Sequence, residues 1–335
     1  MLPRRRLGPS GVEVSAAALG TLPFAPLCGG VGYGPITSER AEGALAAALR
    51  AGIDLVLTSD RFAPAGRLEG WLGAHLPIAA AMAAIDPATV KVATTAGASG
   101  DPKLPMRSTR ADHLVESARA SVARLGRSRL DLCLLDDPPL RHVITGNALD
   151  GLEAVRDAGL TRAIGVSVHA PQEAVAVAEQ GRADVVCLPY SLLFPEAGLE
   201  AMKVIVDAGM TPLVREVLGN GFLGGRQQPQ LPRPSTDVRA RWSTTMIQGR
   251  SYAAEFLRGI GGPAGSLPQA AVRFVLDHPS LASSGVVALG VRTSAQLDEL
   301  LAAWTQPPIP TDHLERLAAM MGRPFQGAIR VDVPP

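Results

Sequence analysis

The feature that most limits the fold of this chain is a regular alternation of short apolar runs with amphipathic segments. The apolar runs, rich in β-branched residues, end near Gly20, Thr58, Thr95, Leu135, Ser167, Pro189, Val214 and Leu289. Segments with apolar residues at three- and four-residue spacing lie between them, for example at 110–125, 149–158, 171–180 and 293–303. Strands that alternate with helices pair in parallel, and eight such units close into a barrel. The sequence therefore predicts an α/β fold, a (β/α)8 TIM barrel with its helices outside.

Residues 4–15 precede the first unit and carry a different pattern. The turn sequence Gly8-Pro-Ser-Gly11 is followed by period-two alternation over Val12–Ser15, which predicts an N-terminal β-hairpin. The main alternative to the barrel, a doubly wound sheet, normally carries a glycine-rich phosphate-binding turn after its first strand. Here Thr21-Leu-Pro-Phe-Ala-Pro follows Gly20, so the barrel is favoured.

The composition is that of an ordinary globular protein without a membrane span. Of the 335 residues, 47% are hydrophobic and 19% are charged, and no run approaches about 20 uninterrupted apolar residues. Because barrels of this class commonly exceed about 250 residues, we expect residues 1–335 to form a single domain. A formal net charge of +1 provides no basic field for nucleic acid or an anionic membrane, so a small-molecule substrate is the expected partner.

The cysteines and the N-terminus predict a cytoplasmic protein. Cys28, Cys133 and Cys187 are odd in number, lie far apart and lack zinc-site spacing, which argues against both a disulfide framework and a metal site. The basic start Met1-Leu-Pro-Arg-Arg-Arg is not followed by the apolar stretch of a secretory signal. Arginine far outnumbers lysine, which is typical of a GC-rich bacterial genome.

Several runs, in order along nearly the whole chain, resemble the aldo-keto reductases, particularly their bacterial sugar-dehydrogenase branch. The runs are Arg6–Ser15 with Leu19–Thr21, Ala51–Thr58, Gly66–Gly73, Asp131–Leu135, Arg162–Ser167 and Asp184–Tyr190. No single run is specific, but their order and spacing together are. The resemblance implies a reductase ancestry and a site at the C-terminal ends of the barrel strands.

The resemblance also assigns positions to the family's catalytic tetrad, an Asp, a Tyr, a Lys and a His. In that family the Tyr protonates the substrate carbonyl, the Lys and His tune the Tyr, and the Asp orients the Lys. The corresponding positions here are Leu57, Phe62, Thr95 and Asp136. Phe62 keeps the ring but lacks the hydroxyl that would donate the proton. The resemblance therefore predicts a divergent member of the family that lacks the tetrad.

The positions that would hold a nicotinamide cofactor are only partly retained. Ser167 matches a residue that grips the nicotinamide amide, whereas Val168 and Cys187 replace its partners. Arg215 stands where the family stacks an aromatic ring on nicotinamide, and the carboxylate of Glu216 would repel phosphate. The residues that match the grip on the adenosine phosphate are Gly290, Arg292, Thr293 and Gln296. We therefore expect either no cofactor or an unknown one, with NADP as the candidate.

Polar side chains at the predicted strand ends are the candidates for chemistry, because that face holds the site in barrel enzymes. The candidates are Asp60, Asp136, His169, Tyr190, Arg215 and Glu216. Asp136 replaces a tetrad residue, so its side chain should face the barrel mouth, and His169 can act as acid or base near neutral pH. Structural interpretations stay open, since Arg215 and Glu216 can simply pair with each other. The carboxylates and the imidazole lack recognisable ligand spacing, so no metal site is predicted.

Three hypotheses about function follow. The first is an enzyme that performs acid–base chemistry without net hydride transfer, such as dehydration, cyclisation or isomerisation, because Asp136 and Glu216 bring carboxylates to the strand ends. The second is a catalytically silent binding or regulatory subunit with a protein partner, which the apolar Leu57 and Phe62 favour. The third is an NADP-dependent oxidoreductase with relocated catalytic groups, which fold ancestry alone supports.

Overall fold

The computed structural model describes residues 2–97, 108–224, 233–258 and 265–320. Eight parallel strands form a closed barrel in which the last strand pairs with the first, and a two-stranded antiparallel sheet precedes it. The strands are β1 (Arg4–Leu7), β2 (Val12–Ser15), β3 (Ala17–Gly20), β4 (Leu55–Leu57), β5 (Lys91–Ala96), β6 (Leu130–Asp136), β7 (Thr161–Ser167), β8 (Val185–Pro189), β9 (Thr211–Arg215) and β10 (Val286–Leu289). The predicted (β/α)8 barrel and its N-terminal hairpin are confirmed.

Helices surround the barrel. They are α1 (Ser38–Arg50), α2 (Arg67–Ala83), α3 (Ala111–Arg124), α4 (Leu140–Ile144), α5 (Asn147–Asp157), α6 (Pro171–Gln180), α7 (Glu196–Asp207), α8 (Thr244–Leu257), α9 (Leu267–Leu276), α10 (Pro279–Ser284), α11 (Ser294–Leu301) and α12 (Thr311–Met320). Hydroxyl side chains begin several of them, since Thr37, Ser243 and Thr293 each accept a backbone N–H from the first turn. Because α11 follows β10 after a short loop, its N-terminus lies beside the barrel mouth.

The barrel interior is filled with small and branched apolar side chains. Those that are fully buried there include Ala18, Leu55, Ala93, Leu132, Ala163, Val185, Leu213 and Val286. Leu7, Val12 and Val14 of the hairpin join the same cluster, so the hairpin closes one end of the barrel. A second apolar layer lies between the strands and the helices. Removal of this apolar surface from water is the main driving force for the fold.

A carboxylate at the closed end holds the hairpin through several donors. Asp54 accepts the backbone N–H of Ser15 at 2.7 Å and the guanidinium of Arg4 at 2.6 Å. The ammonium of Lys91 adds a third donor at 3.0 Å. Burial alone would raise the pKa of Asp54, but these three donors outweigh it and lower that pKa.

A second carboxylate at the closed end is bonded mainly to backbone. Asp184 accepts the N–H of Ser10 at 2.8 Å and the N–H of Ile164 at 2.9 Å, and the residue is only 3% exposed. Here burial prevails over the hydrogen bonds and raises the pKa of Asp184. Asp184 thereby links the hairpin turn to β7.

Predicted and observed boundaries agree closely at several strand ends. The predicted ends at Gly20, Ser167, Pro189 and Leu289 coincide with those of β3, β7, β8 and β10, and the predicted segment 171–180 is α6 itself. The predicted loop 218–238 is described only in part, because residues 225–232 lie outside the described residues. In the described ranges, no helix has the length and apolar character needed to cross a membrane.

Candidate functional site at the barrel mouth

The inward-facing side chains are apolar in the barrel interior and polar at the C-terminal ends of the strands. Alternate residues of a strand share one face, so a residue two positions beyond an interior residue also points inward. Asp136 lies two positions beyond the interior Leu134, and Arg215 lies two positions beyond Leu213. Both charged side chains therefore face the mouth, as predicted for Asp136.

Asp136 is held by an ion pair that joins the loop after β4 to the end of β6. Arg61, in the loop after β4, donates from Nη1 to Oδ2 of Asp136 at 2.7 Å. The two side chains are 35% and 24% exposed, so the pair contributes little to stability, about 0–1 kcal/mol. Its main effect is to orient the carboxylate of Asp136.

Asp60 lies in a buried cluster of hydroxyl groups. Thr95 donates from Oγ1 to Oδ1 of Asp60 at 3.0 Å, and Ser117 donates from Oγ to Oδ2 at 3.3 Å. The Ser59 hydroxyl lies 2.6 Å from that of Thr95. This cluster connects the loop after β4 to β5 and α3, so its contacts give Asp60 a structural role.

A chain of hydrogen bonds, which we call the Arg215 network, runs through Tyr33, Asn220, Glu216, Arg215 and His169. The Tyr33 hydroxyl donates to Asn220 Oδ1 at 3.0 Å, and Asn220 Nδ2 donates to Glu216 Oε2 at 2.8 Å. Arg215 donates from Nη1 to Glu216 Oε1 and from Nη2 to His169 Nδ1, the latter at 2.9 Å. The network thus links the long loop after β3 with the ends of β9 and β7.

Arg215 also determines which nitrogen of His169 carries a proton. A guanidinium can only donate, so Nδ1 accepts and the neutral imidazole carries its proton on Nε2. Nε2 lies 3.8 Å from Oδ2 of Asp137. His169 therefore presents an N–H group, and not a free lone pair, towards Asp137.

Arg215 is the fixed positive charge of the mouth. Burial opposes its charged form, but Glu216, Asp136 and Asp137 outweigh that effect and raise the pKa of the guanidinium. Nη2 also donates to the carbonyl of Val168 at 2.9 Å, which ties the guanidinium to the end of β7. The mouth therefore holds a partly buried cation with carboxylates around it.

Three residues in this region adopt a left-handed backbone although none is glycine. The φ angle is 51° at Asp137, 60° at Glu216 and 56° at Asn220. Asn and Asp tolerate this region through local hydrogen bonds, whereas Glu gains no such compensation. Backbone strain of this kind persists where surrounding contacts hold it, and it is concentrated at functional sites.

A family profile covers most of this barrel. The profile of the Aldo/keto reductase family matches residues 27–321. The chain belongs to the aldo/keto reductase family. No curated protein sequence matches the chain.

Two solved structures are similar to this aldo/keto reductase in fold. The glycerol dehydrogenase AKR11B4 from Gluconobacter oxydans is 21% identical, with a TM-score of 0.74 and coverage of 99% of both chains. The holo form of the aldo-keto reductase AKR11C1 from Bacillus halodurans is 19% identical, with a TM-score of 0.72 over 95% of this chain and 96% of that one. At these identities the likeness supports the fold and not a shared substrate.

In this aldo/keto reductase, the positions that resemblance assigns to the tetrad surround the mouth. Thr95 and Asp136 make the contacts described above, and Leu57 packs against the interior cluster at the end of β4. Phe62 is partly buried in the loop after β4. The neighbouring loop approaches it closely at Gly30, where a Cβ atom would lie 1.9 Å from the Phe62 carbonyl oxygen. The assignment of these positions to the tetrad stays a prediction.

The residues that match the family's adenosine-phosphate grip are engaged within the protein. Arg292 donates from Nη1 to the carbonyl of Tyr33 at 3.0 Å and from Nη2 to that of Pro35. Gln296 Oε1 accepts the Arg292 backbone N–H at 2.9 Å, and Thr293 Oγ1 accepts the Gln296 N–H at 3.2 Å. These groups fasten the loop after β3 to the end of the barrel. In the described part of the chain, Nε of Arg292 is buried without a hydrogen-bond partner.

Two further predicted cofactor contacts lie at strand ends. Gly290 follows β10 directly and stands against Pro23. Ser167 ends β7, where its carbonyl accepts the N–H of Asp137 at 2.6 Å. Its hydroxyl contacts the thiol of Cys187, whose pKa burial raises to about 11. Neither residue joins the Arg215 network.

Tyr190 is not brought to the mouth. It lies three positions beyond the interior Cys187, so alternation turns its side chain outward. Its ring packs against Phe274 and His278, with centroids 5.3 and 5.7 Å away, and Gly198 approaches so closely that a Cβ atom there would lie 2.7 Å from the ring. Tyr190 therefore belongs to the layer between barrel and helices.

The sequence pattern gave no reason to single out Tyr33 or Asn220. Both lie in glycine-rich loops without periodicity, and only the path of those loops brings them together. Cys28, Cys133 and Cys187 are free. Where the chain is described, no group of three or more His, Cys, Asp or Glu side chains is arranged to hold a metal ion.

Proposed function

We propose that this chain is an enzyme that moves protons on a small molecule without net hydride transfer, in a dehydration, cyclisation or isomerisation. The observation that carries the proposal is the partly buried cation Arg215, which is held by Glu216, His169 and the carbonyl of Val168 at the barrel mouth. Removal of a proton beside a carbonyl builds negative charge on oxygen, and a pre-placed cation stabilises that charge. A bacterial cytoplasmic location is part of the proposal, and the free cysteines support it.

Three side chains take separate roles in the proposed reaction. Asp136 faces the mouth, is oriented by Arg61 and accepts the proton. His169 offers the N–H on Nε2 as a hydrogen-bond donor to the oxygen on which negative charge develops. Arg215 acts through its charge, because its Nη groups already donate to Glu216, His169 and a backbone carbonyl.

Hydrogen exchange with solvent tests these roles. Wild-type protein is incubated in D2O with a panel of small hydroxy acids, oxo acids and sugars, and ¹H NMR records deuterium incorporation or loss of water. For any substrate found, we expect Asp136→Asn to slow turnover by about 10²–10⁴-fold. Asp131→Asn is the matched control, since Asp131 lies on the same strand but bonds to Val92 and Arg162 at the closed end.

Two results would overturn the proposal. Unchanged turnover in both Asp136→Asn and His169→Ala would show that the roles are wrong. Conversion that strictly requires NADPH or NADH would show that the reaction is redox chemistry.

The second candidate is an NADP-dependent oxidoreductase with relocated catalytic groups. Family membership favours it, as does the Tyr33 hydroxyl in the Arg215 network, which could replace the proton donor expected at Phe62. Burial above all, and then the charge of Glu216, raise the pKa of Tyr33, so its hydroxyl holds its proton tightly. That hydroxyl also donates to Asn220, and both features weaken it as an acid.

A further inference from the structure

A second arginine lies near the Arg215 network and takes no part in it. Arg250, on α8, places its guanidinium carbon 4.7 Å from the centre of the Phe194 ring and 4.3 Å from that of Trp242. Trp242 in turn stacks on Phe222, with centroids 5.9 Å apart and planes at 12°. We call Arg250, Phe194 and Trp242 the arginine clamp. The rings cover the guanidinium from its faces, whereas its N–H groups point outward in its plane.

The N–H groups of Arg250 lack acceptors. Nε and Nη1 are buried without a hydrogen-bond partner, and in the described ranges no side chain or carbonyl accepts from this guanidinium. Cation–π contact compensates the buried charge of a guanidinium only in part and does not satisfy its N–H donors. Burial accordingly lowers the pKa of Arg250. A buried charged donor without an acceptor is costly, and such a cost is retained where a ligand supplies the acceptor.

The nearby carboxylate of Glu216 does not accept a hydrogen bond from Arg250. Glu216 is close enough to influence the charge of Arg250, but its oxygens accept from Arg215 and Asn220. The described residues therefore leave Nε and Nη1 of Arg250 without an acceptor. Because Glu216 repels anions, a singly charged group is favoured over a doubly charged one.

We propose that the arginine clamp binds a carboxylate group of the small molecule that enters the barrel mouth. The inference rests on the proposed function only in that it takes the substrate to bind at the barrel mouth, and it does not depend on which reaction occurs there. Nη1 and Nη2 lie side by side at the end of the guanidinium, where their N–H groups match the two oxygens of a carboxylate. The rings of Phe194 and Trp242 shield that contact from water. The substrate of the enzyme would then be an organic acid, with its carboxylate on Arg250 and its reacting carbon towards Arg215.

Binding of benzoate, a simple carboxylate, tests the clamp without any need for turnover. Benzoate and inorganic phosphate are titrated at constant ionic strength, with sodium chloride as the balance, and tryptophan fluorescence and Tm are recorded. We expect benzoate to quench fluorescence through Trp242 and to raise Tm, with phosphate weaker. Arg250→Met should weaken the benzoate response at least about tenfold, as expected for loss of a charged hydrogen-bond partner. Arg258→Met is the matched control and should respond like the wild type, because Arg258 directly follows α8 and is paired with Glu255.

The stability of the variants separates a binding role from a structural one. Without ligand, Arg250→Met should keep or raise Tm, because it removes a buried donor without an acceptor. If Arg250→Met does not fold, Arg250→Lys keeps the charge but loses the planar fork, and it should still weaken benzoate binding.

Four results would overturn the clamp. The first is that Arg250→Met or Arg250→Lys responds to benzoate as strongly as the wild type does. The second is that the wild type responds to neither anion at tens of millimolar, and the third is that it responds more strongly to phosphate than to benzoate. The fourth is a marked fall in the Tm of Arg250→Met without ligand. None of them depends on Asp136 or on turnover, so failure of the clamp and failure of the proposed reaction remain distinguishable.

Discussion

The two ends of this barrel use the same kinds of residues in opposite ways. At the closed end, Asp54 and Asp184 accept backbone N–H groups and fasten the hairpin to the strands, although Asp54 also accepts from the side chains of Arg4 and Lys91. At the mouth, Asp136 and Glu216 are instead paired with arginine side chains. Backbone partners are fixed by the fold, whereas side-chain partners can rearrange around a ligand.

The backbone shows the same contrast. In the described part of the chain, the non-glycine residues with positive φ are Ala65, Ala84, Asp137, Glu216 and Asn220, and the last three lie at the mouth around Arg215. The closed end packs the fully buried Leu7, Val12 and Val14 instead. The comparison teaches that carboxylates at the closed end stabilise the fold, while those at the mouth are held in place at some cost.

The largest effect that we expect is from Asp184→Ala at the closed end. The substitution leaves the N–H groups of Ser10 and Ile164 without their charged acceptor, which should lower the free energy of unfolding by about 3–5 kcal/mol. Urea denaturation measures the loss. Asp207→Ala is the matched control, because its exposed pair with Lys203 should contribute less than about 1 kcal/mol. Equal effects of the two substitutions would contradict the account of the closed end.

At the mouth, Arg215→Met should have a smaller effect on stability and a larger one on function. It leaves Glu216 without its cation, but the two side chains are 21% and 25% exposed, so we expect a loss of about 2 kcal/mol. Turnover of any substrate found should be almost abolished. The contrast between the two ends would break if Arg215→Met destabilised the protein as much as Asp184→Ala while leaving turnover intact.

The end of the Arg215 network should show a weaker coupling. Tyr33→Phe removes the donor to Asn220 and should cost about 1 kcal/mol. A double-mutant cycle with Asn220→Ala, followed by urea denaturation, should give an interaction free energy of about 0.5–1 kcal/mol. Strict additivity of the two substitutions would show that the network is not continuous at Tyr33.

The smallest expected effect is a difference in how the two closed-end carboxylates, Asp54 and Asp184, change the stability of the protein with pH. The pKa of Asp54 is lowered in the folded protein, so its contribution to stability is present above pH 3.8 and is lost as the pH falls through the folded pKa. The pKa of Asp184 is raised, so its contribution is present below pH 3.8 and declines as the pH rises through the folded pKa. The stability difference between wild type and Asp54→Asn should therefore grow with pH, while that for Asp184→Asn shrinks. Parallel pH profiles would contradict the opposite shifts.

The sequence was sufficient for the barrel because its information is local. Strand and helix periodicity predicted the β-runs, and the known direction of parallel strands placed Asp136 and Arg215 at one end. Tyr190 was predicted to lie at the mouth, but strand alternation counted from the inward-facing Cys187 turns its side chain outward.

The partners of the site residues could not be predicted in the same way. Arg61 and Asp136 are 75 positions apart in sequence, and Tyr33 and Asn220 are 187 apart. Their contacts depend on the paths of loops that carry no periodicity. The clamp around Arg250 likewise depends on how α8 meets the loop after β8, which no local pattern encodes.

The proposed function requires that the mouth of this aldo/keto reductase transfers protons around Arg215 without a nicotinamide cofactor. Isothermal titration of the wild-type protein with NADPH and with NADH tests it most directly. Because Arg215 occupies the predicted nicotinamide-stacking position and Arg292 is engaged with the carbonyls of Tyr33 and Pro35, we predict no saturable binding up to millimolar cofactor. Saturable binding in the micromolar range would contradict the claim and favour the oxidoreductase.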